Sequence, residues 1–423
     1  MNTISLKEYI KNGGLDGQFS YLAYSDINAA KDRYIKALDE FYKNFGDREV
    51  LIFSAPGRTE LSGNHTDHQG GVVLAGSVNL DTIAIVSPRD DTKVTVMSEG
   101  FKPFTIDISD LSLHSKEKGT SEAIVRGMAK AVSERAECQA LCGFDAYTTS
   151  LVPKGSGLSS SAAFEVLVGK ILSVLCCGDK LPDEFLAEAG HFAEFNYFGK
   201  PCGKMDQYAC AIGGIVFIDF FKETPEFKKI DVSFDKLGYS LFITDAGGSH
   251  AHLTPEYASV TREMKDVSNQ FGKEKLSEIS KEEFFEKLPD IKGKVSDRAI
   301  SRALHYFCEV DRVRAQVLAL EEKNISKYLE LMQKSGDSSL LNLQNIYPVS
   351  VENERSLSLA LGYSLNLGVV SRVHGGGFAG TIQALVKNED ANTYKTEMER
   401  LFGKDSCHSV AIRPVGTYLF EVK

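Results

Sequence analysis

The chain has 423 residues, 43% of them hydrophobic and 25% charged, which suits about two domains with real cores and excludes disordered and fibrous classes. A formal net charge of −10 argues against a nucleic-acid-binding surface, although local dipoles and a metal can still hold an anionic small ligand. Eight cysteines, adjacent at Cys176 and Cys177 and without CxxC spacing at Cys202 or Cys210, read as reduced thiols of a cytosolic protein rather than a disulfide framework. The opening MNTISLKEYI has no signal-peptide pattern, and no apolar run is read as reaching the ~18 residues of a membrane span.

In chain order, Ser5-Leu6-Lys7-Glu8 reads as a capping box that starts a short helix. Asn28 to Phe45 carries a helical apolar stripe. VLIFSA (50–55) reads as a buried strand running into a long polar loop, Pro56 to Gly71. Strands are expected at 72–78, 82–87 and 93–98, a helix over 121–136, and a strand at 143–150. A helix then runs to about Cys177, another follows from Pro182 to Phe198, and 214–220 is a strand. After Lys222 the composition becomes more charged, which suggests a connection between domains, 1–222 and 223–423. A strand and glycine turn over 239–250, mostly helical sequence from about Thr254 to Leu365, and a βαβ-like end with the strands SVAIRP and TYLFEV complete the chain. Strands mixed with segregated helices predict an α+β fold.

Four segments carry chemistry. PKGSGLSSSAAFEV (153–166) leads two glycines and four serines into an apolar helix; Gly155 and Gly157 permit positive φ, and the helix start offers N–H groups and the positive end of its dipole. That describes a phosphate cradle, though not a Walker A loop, because no Gly-Lys-Ser/Thr follows. Arg58 precedes Asn64-His65-Thr66-Asp67-His68; a zinc site there would need a fourth ligand, and recognition of sugar hydroxyls fits better. Glu194 and Asp206 flank a break at Pro201–Gly203. Each has an ordinary reading, a solvated helix charge or a helix N-terminal carboxylate; beside a phosphate loop one suits Mg²⁺ and the other an attacking hydroxyl's proton. HGGGFAG (374–380) is followed by strand-like TIQALV, which argues against a dinucleotide fold and for a tight turn backing the phosphate loop.

Together and in this order, these segments resemble the motifs of the GHMP small-molecule kinases, and among them the galactokinases. APGRTELSGNHTDHQGG is similar to the galactokinase signature, VPKGSGLSSSAAFEV to the second motif, AEFNYFGKPCGKMDQ to the stretch with the metal glutamate and catalytic aspartate, and HGGGFAG to the third motif. The resemblance implies an N-terminal ribosomal-S5-domain-2-like domain and a C-terminal ferredoxin-like domain with the site between them. It implies ATP and Mg²⁺, a monosaccharide substrate, and a monomer. It also implies Asp206 as base or orienter with Arg58 beside it, and Ser161 and Glu194 as metal ligands. Gly155, Ser156, Gly157, Leu158, Ser159, Ser160 and Ser161 would form the ATP loop, and Asn64, His65, Asp67, Gly203 and Tyr257 would contact the sugar.

The chain departs from the family pattern at Glu60, where the family has asparagine, at Asn64, where it has glutamate, and at His68, where it has tyrosine. A neutral Asn64 at the C6 end of a sugar would not repel a C6 carboxylate. The resemblance makes galactose the expected acceptor, the neutral Asn64 makes galacturonate its leading rival, and another pyranose stays open. A sugar and ATP sensor without turnover is the alternative of another class, disfavoured because LSSSAA, Arg58, Glu194 and Asp206 are all present.

Overall fold

A computed structural model describes residues 1–153, 155, 157–200, 202–248 and 253–422. Helices α1 (Thr3–Lys11), α2 (Asp16–Tyr21) and α3 (Ile27–Phe45) come first. Asn2, not the Ser5 box, caps α1 by accepting from the Ser5 N–H, and Asp26 caps α3. Strand β1 (Leu51–Ser62) does not stop at Ala55; it continues through the polar stretch that reads as a loop, because Arg58 and Glu60 are buried and charge-paired there. Strand β2 (Val72–Pro88) is one continuous strand where two were expected. Then come β3 (Lys93–Ser98), β4 (Phe104–Asp107), α4 (Ser121–Ser133), β5 (Phe144–Ser150) and α5 (Ser160–Cys177). Helix α6 (Asp183–Phe192) passes into a π-helical turn, Ala193–Phe198, before α7 (Met205–Ile212) and β6 (Ile215–Asp219). The charged stretch after Lys222 is not only a connection, since it contains β7 (Glu226–Ile230).

The remaining elements are β8 (Tyr239–Asp245), α8 (Thr254–Asn269), α9 (Lys281–Ile291), α10 (Asp297–Glu321), α11 (Ile325–Ser338) and α12 (Ser356–Asn366). They are followed by β9 (Val370–Val373), β10 (Thr381–Lys387), α13 (Ala391–Phe402), β11 (Cys407–Val410) and β12 (Tyr418–Leu419). The fold is α+β, built on two sheets. The larger has eight strands in the path β12-β1-β2-β5-β3-β4, with β6 and β7 branching from β2. The smaller runs β11-β8-β10-β9, entirely antiparallel, which is the ferredoxin-like order expected. The βαβ-like end is therefore not self-contained: β12 leaves it to pair with Phe53 and Ser54 of β1.

One face of the larger sheet packs on α4 to α7, with Val73, Ala84, Val166 and Leu172 at the centre. The other face is covered by α1 to α3, where Phe19, Tyr34 and Phe41 meet Phe420. Helix α5 is, against expectation, long and apolar enough by composition to cross a membrane, yet 67% of it is buried inside the protein as a core helix. All eight cysteines are free thiols.

Candidate active site

The site is built where β1, the start of α5 and the start of α7 converge. The register of β1 against β2 shifts between Pro56 and Arg58. Gly57 lies so close to the phosphate loop that a β-carbon there would stand 2.7 Å from the Leu158 carbonyl oxygen. The Arg58 N–H donates to that same carbonyl at 3.0 Å. The Arg58 side chain donates from Nε to Asp206 Oδ1 at 2.8 Å, holds Nη2 2.6 Å from the same oxygen, and donates from Nη1 to the Gly157 carbonyl. The Ser159 hydroxyl donates to Asp206 Oδ2. Burial pushes the Asp206 carboxyl up, but the Arg58 guanidinium and the Ser159 hydroxyl outweigh it and hold the group below the usual carboxylate range. Ser159 stands at the N-cap position of α5 in left-handed backbone (φ 58°), but its hydroxyl caps nothing; it is spent on Asp206.

Gly155 and Gly157 both have positive φ, 74° and 69°, as their place in a tight loop requires. Ser156 lies outside the described residues. Ser160 is half-buried and Ser161 exposed, both in the first turn of α5. The glycine turn does back this loop: His374 sits between the Thr59 and Thr381 hydroxyls, 3.0 Å from each, and a β-carbon on Gly157 would lie 3.1 Å from its Nδ1. Burial and the charge of Arg58 keep His374 neutral.

Glu194 lies in the π-helical turn, buried, accepting from Lys200 Nζ at 2.8 Å and from Gln207 Nε2 at 2.9 Å. Gln207, the residue after Asp206, also donates from Nε2 to the fully buried Glu165 at 2.9 Å. Burial, reinforced by Glu194, pushes the Glu165 carboxyl well above the usual carboxylate range. Gln207 thereby ties Glu194 to the turn of α7 that carries Asp206. Among the described residues no group of three or more His, Cys, Asp or Glu is arranged to hold a metal ion.

The polar loop after β1 supplies the rest. The His65 Nε2 is 2.9 Å from the Gly376 carbonyl, which assigns the proton to Nε2 and leaves Nδ1 an acceptor. Burial lowers the His65 pKa to about 4, so the ring is neutral. Asp67 accepts from the His68 N–H at 2.8 Å, and burial raises its pKa to about 6. A β-carbon on Gly203 would stand 1.8 Å from Asp67 Oδ2, so only glycine fits there. Tyr257, on α8, donates to the Gly377 carbonyl at 2.9 Å.

Asn64 behaves differently from its expected role. It is 1% exposed. Its Nδ2 donates to both Glu60 carboxylate oxygens (3.1 and 3.2 Å) and to the Gly375 carbonyl (2.7 Å), while its Oδ1 accepts from Asn345 (2.7 Å). Glu60 is in turn paired with buried Arg372 at 2.8 Å. The amide donors are spent on the protein, so Asn64 braces the loop and has no N–H left to offer a ligand.

Sequence reasoning missed the layer beneath the loop. On α10, His305 Nε2 meets the Asn64 carbonyl at 2.9 Å, and Glu309 accepts from the Ser62 hydroxyl at 3.0 Å and the Gly63 N–H at 3.2 Å. Their i, i+4 spacing on a helix was the available signal. Asn345 and Arg372 carried none.

A family model described as the galactokinase galactose-binding signature matches residues 39–88, and one for the GHMP kinase N-terminal domain matches residues 123–214. With the paired sheets and a glycine loop facing the Arg58–Asp206 ion pair, these define a GHMP small-molecule kinase, an ATP-using phosphotransferase. The galactokinase of Glaesserella parasuis serovar 5 is 30% identical over 363 residues, 83% of this chain and 88% of its own. Human galactokinase is 32% identical over 374 residues, 86% of this chain and 90% of its own. A crystal structure of Lactococcus lactis galactokinase complexed with galactose is similar at a TM-score of 0.76 and 26% identity, covering 90% of this chain and 98% of that one. The chain belongs to the galactokinase family.

Proposed function

We propose that the protein transfers the terminal phosphoryl group of ATP to the anomeric hydroxyl of galactose, giving galactose 1-phosphate and ADP. The observation that carries this reading is the Arg58–Asp206 ion pair at the start of α5, with Ser159 on the second carboxylate oxygen. An aspartate kept ionised by an adjacent guanidinium accepts or orients the hydroxyl proton, and Arg58 steadies charge that develops as the oxygen attacks. Phosphoryl transfer asks mainly for positioning and electrostatics, which suits so small a set of groups. Gly155, Ser156, Gly157, Leu158, Ser159, Ser160 and Ser161 are assigned to the ATP phosphates.

Ser161 and Glu194 would hold Mg²⁺: both are hard oxygen ligands of the kind that ion shares with phosphate, Ser161 exposed in the first turn of α5 and Glu194 exchanging its Lys200 contact for the ion. Bound there, the ion would offset phosphate charge. On the sugar side we assign the Nδ1 acceptor of His65, the Asp67 carboxylate, the approach at Gly203, and Tyr257. Galacturonate loses its main support, because the Asn64 amide is turned into the protein. The same reading includes a monomeric cytoplasmic enzyme without nucleic-acid or membrane partners, and a division of the chain near residue 222.

The test is ADP release with Mg²⁺-ATP over galactose, galacturonate, N-acetylgalactosamine, glucose and mevalonate. Turnover is expected on galactose above the rest. Preference for galacturonate would overturn the substrate assignment, and binding of sugar and ATP without turnover would overturn the enzyme in favour of a sensor.

A further inference from the structure

The three glycines of the turn 375–377 present three successive carbonyls, and each receives a side chain from elsewhere in the fold. Asn64 donates to Gly375, His65 to Gly376 and Tyr257 to Gly377. Two of these side chains are the sugar contacts assigned above, and the third braces their loop. One further residue is tied to both the loop and the turn. Asn345 is completely buried and follows Gln344, which has left-handed backbone (φ 57°) after a π-helical turn at Ser339–Leu343. Its Nδ2 group donates to Asn64 Oδ1 at 2.7 Å and to the Gly376 carbonyl at 3.1 Å, the same carbonyl that orients His65. Its own carbonyl accepts from the Phe378 N–H at 2.5 Å. A β-carbon on Gly377 would stand 2.3 Å from that carbonyl oxygen, so the glycine turn and Asn345 are packed backbone to backbone.

We propose that Asn345 is a positioning residue for the sugar side of the site, fixing the loop of Asn64 and His65 against the glycine turn. It touches neither Arg58 nor Asp206 by any hydrogen bond among the described residues. Its buried donors hold two acceptors that no water replaces without cost. The inference rests on the sugar-kinase reading and deepens it, because it assigns to the helical half of the chain a part in sugar affinity.

The experiment compares Asn345→Ala, Asn345→Asp and Asn345→Ser with the unaltered protein. It measures KM for galactose, KM for ATP, kcat, galactose Kd without nucleotide, and Tm. Asn345→Ala and Asn345→Asp are expected to raise galactose KM and Kd about tenfold, the loss of roughly one net buried hydrogen bond. KM for ATP should stay within about twofold, since ground-state sugar binding is what is lost. Asn345→Ser, which keeps a short donor, should recover part of the loss and serves if the other two fail to fold. Unchanged galactose KM and Kd, or equal rises in both KM values with a lowered Tm, would overturn the proposal alone. An unaltered protein that neither binds nor phosphorylates any monosaccharide would overturn the functional reading and this inference with it.

Discussion

Replacing Arg58 by methionine tests the centre of the site. The guanidinium approaches Asp206 Oδ1 at 2.6 and 2.8 Å. Unit charges about 4 Å apart interact by roughly 4 kcal/mol at an effective dielectric near 20. The Asp206 side chain is 32% exposed, so solvent screening reduces this to roughly 2 kcal/mol. Loss of a charge-assisted hydrogen bond adds about 1 kcal/mol. Arg58 makes an interaction of the same order with the charge that develops on the attacking oxygen, and its loss from the transition state, roughly 3 kcal/mol, corresponds to about a hundredfold in kcat/KM. The pH dependence should shift as well. In the proposed role Asp206 works as the anion, and Arg58 helps hold its pKa below the ordinary value. Without Arg58 the effect of burial dominates, the carboxylate binds its proton at higher pH, and the acid limb of kcat/KM moves upward. Coupled ADP release across the acid range measures both effects. Arg58→Lys, which keeps the charge but loses the planar fork, should fall between. An acid limb that stays in place or moves downward would refute the role given to the pair.

Two further predictions concern the sugar loop. The Asp67 pKa is raised in the folded protein, to about 6, so its charge opposes folding: the stability it carries is full below the unfolded value and is lost as pH rises through about 6. Asp67→Asn should therefore raise stability near neutrality by about 1 kcal/mol after allowance for partial exposure, seen as a higher urea midpoint, while weakening galactose binding; an unchanged midpoint at neutral pH counts against the buried charge. Gly203→Ala drives a β-carbon into the Asp67 carboxylate and should raise galactose KM with little effect on ATP, as steady-state kinetics in each substrate would show.

The short motifs were legible because each concentrates rare chemistry in a few adjacent residues. The positive φ of Gly155 and Gly157 and the support that HGGGFAG gives the phosphate loop follow from local rules. What failed to show were partners distant in sequence. Arg58 and Glu60 look like loop residues until Asp206 and Arg372 neutralise them, 148 and 312 positions away. Asn64 looks like a ligand contact until Glu60, Gly375 and Asn345 occupy it. The same holds for β7, whose short, charged sequence becomes a strand only because β6 offers an edge to pair with, and for the partner of β12, a strand whose pairing with β1 no local signal gives.

The pairing of β12 with β1 has a bearing on biosynthesis. Tyr418 and Leu419 hydrogen-bond to the strand that carries Arg58, and Arg413, wholly buried, reaches Ser54 and Asp81 behind it. A ribosome delivers Arg413 only 359 positions after the Ser54 it bonds to. The arginine-bearing strand therefore cannot reach its final environment until those residues have emerged, however early the first helices condense. Contacts spanning more than 350 positions impose a slow, late closing step. Nascent chains halted before residue 411 should hold the arginine strand with one edge bare, a state that chaperones rather than substrates would meet.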